Sequence, residues 1–209
     1  MKELRAVLFD LDGVLVDATE WHYEALNRAL GLFGYTISRY EHLTTYNGLP
    51  TRKKLEMLSV EKNLPRGLHS MINQIKQKYT REEILRNCTP VFEKEFMVRQ
   101  LKRDGYKLAV CSNAVRESVE RMLRASGILE NFDFLVSNED VKKPKPDPEM
   151  YLLAFEKLDV APAECVIVED AEHGLEAARR TGAHVCRVSS FAEVDYDRIK
   201  RFIESVEPR

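Results

Sequence analysis

Apolar residues fall into two alternating kinds of run along this chain. Short, β-branched runs occur at RAVLFDL, YKLAVCS, FDFLVS, CVIVED and HVCRV, and each reads as a buried strand. Longer stretches with apolar residues three and four positions apart separate most of them, as in VRESVERMLRASG, PEMYLLAFEKLD and AEHGLEAARRTG. That spacing predicts amphipathic helices. Gly105, Gly127 and Gly182 follow helical runs, where a left-handed cap glycine is expected. Continuous apolar strands alternating with helices predict an α/β fold. Its core is expected to be a doubly wound, Rossmann-like parallel sheet covered on both faces.

One segment breaks the alternation. Between Asp17 and about Thr89 no strand pattern occurs. WHYEALNRALGLFG carries a helical stripe of Trp21, Ala25, Leu26, Ala29, Leu30 and Phe33. TRKKLEMLSVEKN, RGLHSMINQIKQKY and EEILRNC also read as helical runs. The expected organisation is a core of residues 1–16 and 90–209, with a small α-helical cap inserted at 17–89. VDYDRIKRFIESVEPR reads as a closing helix.

Charge narrows the classes of partner. The net charge of -2 provides no electrostatic footprint for nucleic acid or an anionic membrane. No apolar run approaches the roughly 20 residues that a bilayer span requires. MKELRAVLFD enters a strand pattern at once, so no signal peptide is expected. Cys88, Cys111, Cys165 and Cys186 are far apart, and three of them lie in apolar strand-like runs. They read as reduced thiols, and the expected compartment is the cytoplasm.

In doubly wound sheets, ligands bind beyond the carboxyl ends of the strands. The first strand delivers Asp10 and Asp12, followed by Gly13, in LFDLDGVLVD. The second delivers Ser112 and Asn113. The loop after the third, VKKPKPDP, delivers Lys142, Lys143 and Lys145, and the fourth strand ends in Glu169 and Asp170. Two carboxylates one residue apart at a strand end repel unless a cation lies between them. Carboxylates suit Mg²⁺, which also takes phosphate oxygens as ligands. Lysine and hydroxyl groups complement a phosphate, so the pooled inventory describes a site for magnesium and a phosphate.

DLDGVLVD, then CSNA, KKPKPDP and VIVEDAEHGLEAARRTGA, in that order, resembles the signature of the haloacid dehalogenase superfamily. More narrowly, it is similar to the phosphatase and β-phosphoglucomutase branch with a helical cap. The resemblance implies that Asp10 is the nucleophile and forms an aspartyl-phosphate. It implies Asp12 as general acid and base, with Gly13 permitting the tight turn between them. Mg²⁺ would be held by Asp10, the Asp12 carbonyl and Asp170, with Glu169 direct or through water. Ser112 would hydrogen-bond the phosphoryl group, with Asn113 helping to orient it. The family reads Lys-Pro-x-Pro-Asp, which Lys143 fits with Pro144, Pro146 and Asp147, so Lys143 is the expected lysine. Lys145 then falls at the variable position.

In the cap, the resemblance places His22 near the hinge and Arg52 where related caps contact substrate. Segments near residues 16–20 and 87–91 would be the hinges for closure over substrate. The implied activity is Mg²⁺-dependent hydrolysis of a small phosphorylated metabolite, by a monomer or weak homodimer. A hexose-phosphate mutase is the alternative. It usually carries a threonine four residues before His22, where this chain has Ala18. A catalytically silent binding module on the same fold would lack one of the motif residues, and none is missing.

Overall fold

The structure, a computed structural model, describes residues 4–206. The chain divides into two compact units, Met1–Asp17 with Thr89–Arg209, and Ala18–Cys88. The first is built on five parallel strands: β1 (Ala6–Phe9), β2 (Lys107–Cys111), β3 (Phe134–Val136), β4 (Cys165–Glu169) and β5 (His184–Arg187). Their order in the sheet is β3-β2-β1-β4-β5. β1 is therefore central, with Ala6 aligned to Lys107 on one side and to Cys165 on the other. All four of its residues are buried, which is why AVLF carries no polar alternation.

Side chains alternate across the strand. Ala6 and Leu8 join Ala109, Cys111 and Ile167 in a core that includes Met150, Tyr151, Ala154 and Phe155. Phe9 meets Phe132 edge-on at 6.3 Å. The chain leaves β1 on one side for β2 and β3, and returns on the other to β4 and β5. This reversal lies between β1 and β4, the place where such sheets open a crevice beyond their carboxyl ends.

The second unit is helical. The chain runs through α1 (Thr19–Gly31), a short α2 (Arg39–Glu41), a π-helical turn (His42–Tyr46), α3 (Thr51–Glu61) and α4 (His69–Asn87). Leu26, Leu30, Ile37, Leu55, Leu58 and Ile72 form its core. Ser38 starts α2 with a capping box: its hydroxyl accepts the Glu41 N–H at 3.1 Å, and Glu41 accepts the Ser38 N–H at 2.6 Å. The two runs expected at RGLHSMINQIKQKY and EEILRNC join into the single helix α4. Its buried stripe is Ile72, Lys76, Thr80 and Ile84, so two polar residues interrupt the apolar pattern at its middle. Thr80 turns its hydroxyl back onto the Lys76 carbonyl at 3.0 Å.

The first unit contributes the remaining helices: α5 (Phe92–Arg103), α6 (Arg116–Ala125), α7 (Glu149–Leu158), α8 (Glu172–Arg179) and α9 (Tyr196–Val206). The last residues of the expected closing helix, 207–209, lie outside the described residues. Gly105, Gly127 and Gly182 all take positive φ. Among the described residues, no helix is long and apolar enough to cross a membrane.

The π-helical turn brings His42 and Tyr46 inward together. Tyr46 donates to Glu61 at 2.5 Å. His42 is buried with Nε2 3.2 Å from the Thr19 carbonyl, and its Nδ1 has no partner among the described residues. Burial, then the charge of Lys54, lowers the His42 pKa from 6.5 to about 4, with His22 and Lys76 adding to the effect. The unfolded chain therefore takes up a proton at this position that the folded chain refuses. Stability contributed by neutral His42 is full above about pH 6.5 and is lost as the pH falls through that window toward about 4. The urea midpoint of the wild type is expected to fall across this window more steeply than that of His42→Gln. Equal slopes would contradict the burial of a neutral imidazole.

Candidate active site

Three strand ends and one loop meet at the carboxyl edge of the sheet. Asp10 continues β1, its N–H donating to the Val168 carbonyl of β4 at 3.0 Å. The next turn is tight: the Gly13 N–H donates to the Val16 carbonyl at 2.8 Å, and Leu15 and Val16 both donate to the Leu11 carbonyl at 2.9 Å. Gly13 has φ +84°, and a Cβ there would lie 2.2 Å from Asp170 Oδ2. Glycine thus serves twice, in permitting the turn and in letting the backbone pass against a site carboxylate. Asp12, half-buried in this turn, contributes to raising the Asp10 pKa.

Ser112 follows β2, buried, with its N–H on the Val136 carbonyl at 2.9 Å and its Oγ accepting the Ala114 N–H at 3.0 Å. Asn113 has a different task from the one expected. Its Oδ1 accepts the Lys145 N–H at 3.0 Å, and its Nδ2 donates to the Lys145 carbonyl at 3.3 Å. The amide clamps the backbone of the lysine loop.

The expected lysine is corrected by the structure. Lys143 is exposed, and its backbone N–H is tied to Glu149 at 2.9 Å. Lys145 is the residue inside, only 4% exposed. Its Nζ donates to Asp10 Oδ1 at 2.7 Å, to the Cys111 carbonyl at 2.7 Å and to Glu169 Oε1. KPKPDPE matches the family pattern in two registers. One starts at Lys143 and ends in Asp147; the other starts at Lys145 and ends in Glu149. The second is used, with Glu149 in the place of the aspartate. Glu149 accepts the N–H groups of Lys142 and Lys143 from the first turn of α7, which holds those two residues outside.

Glu169 ends β4 and is 1% exposed. Its Oε1 receives both Lys145 and the hydroxyl of Tyr151, a residue of α7 that reads in the sequence as plain core. Gly174 of α8 lies directly on this carboxylate: a Cβ there would be 2.1 Å from Glu169 Cδ. Carboxylate oxygens of Asp10, Glu169 and Asp170 lie within 4.8 Å of one another. Glu169 Oε2 and Asp170 Oδ1 are buried and have no hydrogen-bond partner among the described residues.

Burial raises the pKa of all three carboxyls and Lys145 opposes it, while repulsion from Asp12 on Asp10, and from Asp10 on Glu169 and Asp170, adds to the rise. For Lys145, burial disfavours the charge, but Asp10 and Glu169 outweigh burial and keep the ammonium protonated. Ionising all three carboxylates beside the one ammonium would leave a net negative charge in a desolvated place. A divalent cation facing the two orphaned oxygens would remove that penalty, so the residues fit Mg²⁺.

The remaining expected site residues belong to the helical unit. His22 lies on α1 with Nδ1 3.3 Å from Lys76 Nζ. Lys54 and Lys76 are both buried there, and with His22 and His42 they make a basic group that the apolar periodicity did not announce. The Arg52 side chain is 89% exposed and pairs with Glu56 one helical turn away at 3.2 Å.

Residues 7–188 match the family described as Haloacid dehalogenase-like hydrolase. A relative named Phosphorylated carbohydrates phosphatase, from Thermotoga maritima, is 34% identical over 184 residues, covering 86% of this chain and 82% of the relative. Beta-phosphoglucomutase of Bacillus subtilis is 30% identical, covering 86% and 80%. A solved beta-phosphoglucomutase from Clostridium difficile superposes with a TM-score of 0.84 at 22% identity, over 97% and 98% of the two chains, and so shares the fold. The strand-end carboxylates, the buried lysine and this match across most of the chain agree: the protein belongs to the haloacid dehalogenase-like hydrolase family.

Proposed function

We propose that the protein is a Mg²⁺-dependent phosphatase acting on a small phosphorylated metabolite, of which sugar phosphates are the class to test first. One observation carries this reading. Asp10 and Glu169 pair with one buried ammonium, Lys145, Asp170 lies beside them, and two carboxylate oxygens have no partner among the described residues. The name of the Thermotoga relative supports the carbohydrate class.

In this reading Asp10 attacks phosphorus. A bond forms from its carboxylate oxygen to phosphorus as the bond to the substrate oxygen breaks. Asp12 gives its proton to the departing oxygen. In the second half, Asp12 takes a proton from a water molecule as that water attacks the aspartyl-phosphate, and Asp10 is released with inorganic phosphate. Lys145 holds Asp10 in place and offsets negative charge as the phosphate approaches. The Ser112 hydroxyl donates to a phosphoryl oxygen. Asp10, Glu169, Asp170 and the Asp12 carbonyl would hold Mg²⁺, which would neutralise charge between carboxylate and phosphate.

A mutase reading has one observation in its favour, the pairing of His22 with Lys76 in a chain related to a phosphoglucomutase. Ala18 at the position of the mutase threonine counts against it.

Phosphate release should be measured over a panel of phosphorylated metabolites with Mg²⁺ and with a chelator, with β-glucose 1-phosphate also assayed for glucose 6-phosphate. The expected result is metal-dependent phosphate release that Asp10→Asn abolishes with the fold intact. Isomerisation without release would move the reading to the mutase, and turnover by Asp10→Asn equal to wild type would overturn the mechanism.

The two lysines give a second test. Lys145→Ala should lower kcat/KM by at least about 100-fold, the scale of losing one preorganised charge-stabilising group. Lys143→Ala should stay within about twofold of wild type, as for a surface change. The reverse ranking would contradict the register of the loop.

A further inference from the structure

Tyr151 has no part in the chemistry above, yet its hydroxyl is the second donor on Glu169. An ammonium has three protons. Those of Lys145 face three acceptors, on Asp10, Cys111 and Glu169. The lysine thus has no further proton with which to fix the carboxylate of Glu169. Tyr151 reaches the same oxygen, Oε1, from α7, with its ring buried and its centroid 5.0 Å from Lys145 Nζ. Gly174 closes the face of the carboxylate from α8. Two donors on Oε1 and a backbone wall leave Oε2 as the one oxygen of Glu169 without a partner among the described residues.

Resting on the Mg²⁺ reading, we propose that Tyr151 is a positioning residue for the metal: its hydroxyl holds Oε1 of Glu169 and thereby presents Oε2 to the cation or to a water bound to it. Donors that orient a ligand from behind commonly govern metal affinity by 10- to 100-fold. A phenylalanine at this position would fill the same space in the core and lack only the donor.

The test is Mn²⁺ binding, read from the paramagnetic resonance signal of the free ion, in wild type, Tyr151→Phe and Tyr151→Leu. Kd is expected to rise by about 10-fold in both variants. The metal-free melting temperature of Tyr151→Phe is expected to stay close to wild type. The same Tyr-to-Phe change made in a Glu169→Ala background should leave Kd unmoved, because the hydroxyl acts through that carboxylate. Equal Kd in wild type and the variants would overturn the proposal while leaving the metal site in place. So would a loss of affinity that persists in the Glu169→Ala background. A wild type that binds no Mn²⁺ would overturn the metal reading itself, and the proposal with it.

Discussion

Everything at the carboxyl edge of the sheet is arranged around one buried ammonium. Lys145 is held between Asp10 and Glu169 in a place that water hardly reaches. A buried charge is tolerated only when it is paired and hydrogen-bonded. Here the pairing is satisfied for the lysine and overshoots for the acids, because Asp170 adds a further carboxylate. The surplus is the physical reason for a divalent cation. It also explains why burial pushes all three carboxyls upward even with the lysine beside them.

The fold makes this arrangement possible by devoting rigid elements to each member. β1 and β4 are neighbours in register, so the residues that follow Phe9 and Val168 emerge side by side. Glu169 is still in β4 when its side chain meets Lys145, and its carbonyl accepts the Val188 N–H at 2.9 Å. Asn113, at the end of β2, fixes the lysine loop by its backbone, and Glu149 ties the same loop to α7. Two glycines, Gly13 and Gly174, let backbone approach the acids more closely than any side chain would permit. The site is precise because strands, helix starts and glycines surround it, and the loop that carries Lys145 is itself tied down by Asn113 and Glu149.

Much of this was legible in the sequence. Short β-branched runs located all five strands, since a strand buried on both faces has no polar alternation to obscure it. The acids at the strand ends were legible for the same reason: a carboxylate directly after an apolar run stands out. The lysine was not, because KPKPDPE offers the same pattern twice, two residues apart, and only packing of α7 selects between them. Tyr151 was hidden for the opposite reason. It occupies an apolar helix stripe with Met150, Ala154 and Phe155, where a tyrosine reads as core and its hydroxyl gives no signal. In the helical unit, Lys76 and Thr80 stand in the inward stripe of α4 and made one helix read as two. The π-helical turn that buries His42 follows from tertiary packing, which local periodicity cannot report.

A single lysine, Lys145, organises a set of acids that fit a divalent cation. A crystal structure grown with Mg²⁺ is expected to show Lys145 Nζ between Asp10 and Glu169, and metal density against Asp170 and Glu169 Oε2. Lys143 in that position, or the three carboxylates together with no cation near them at saturating Mg²⁺, would contradict it.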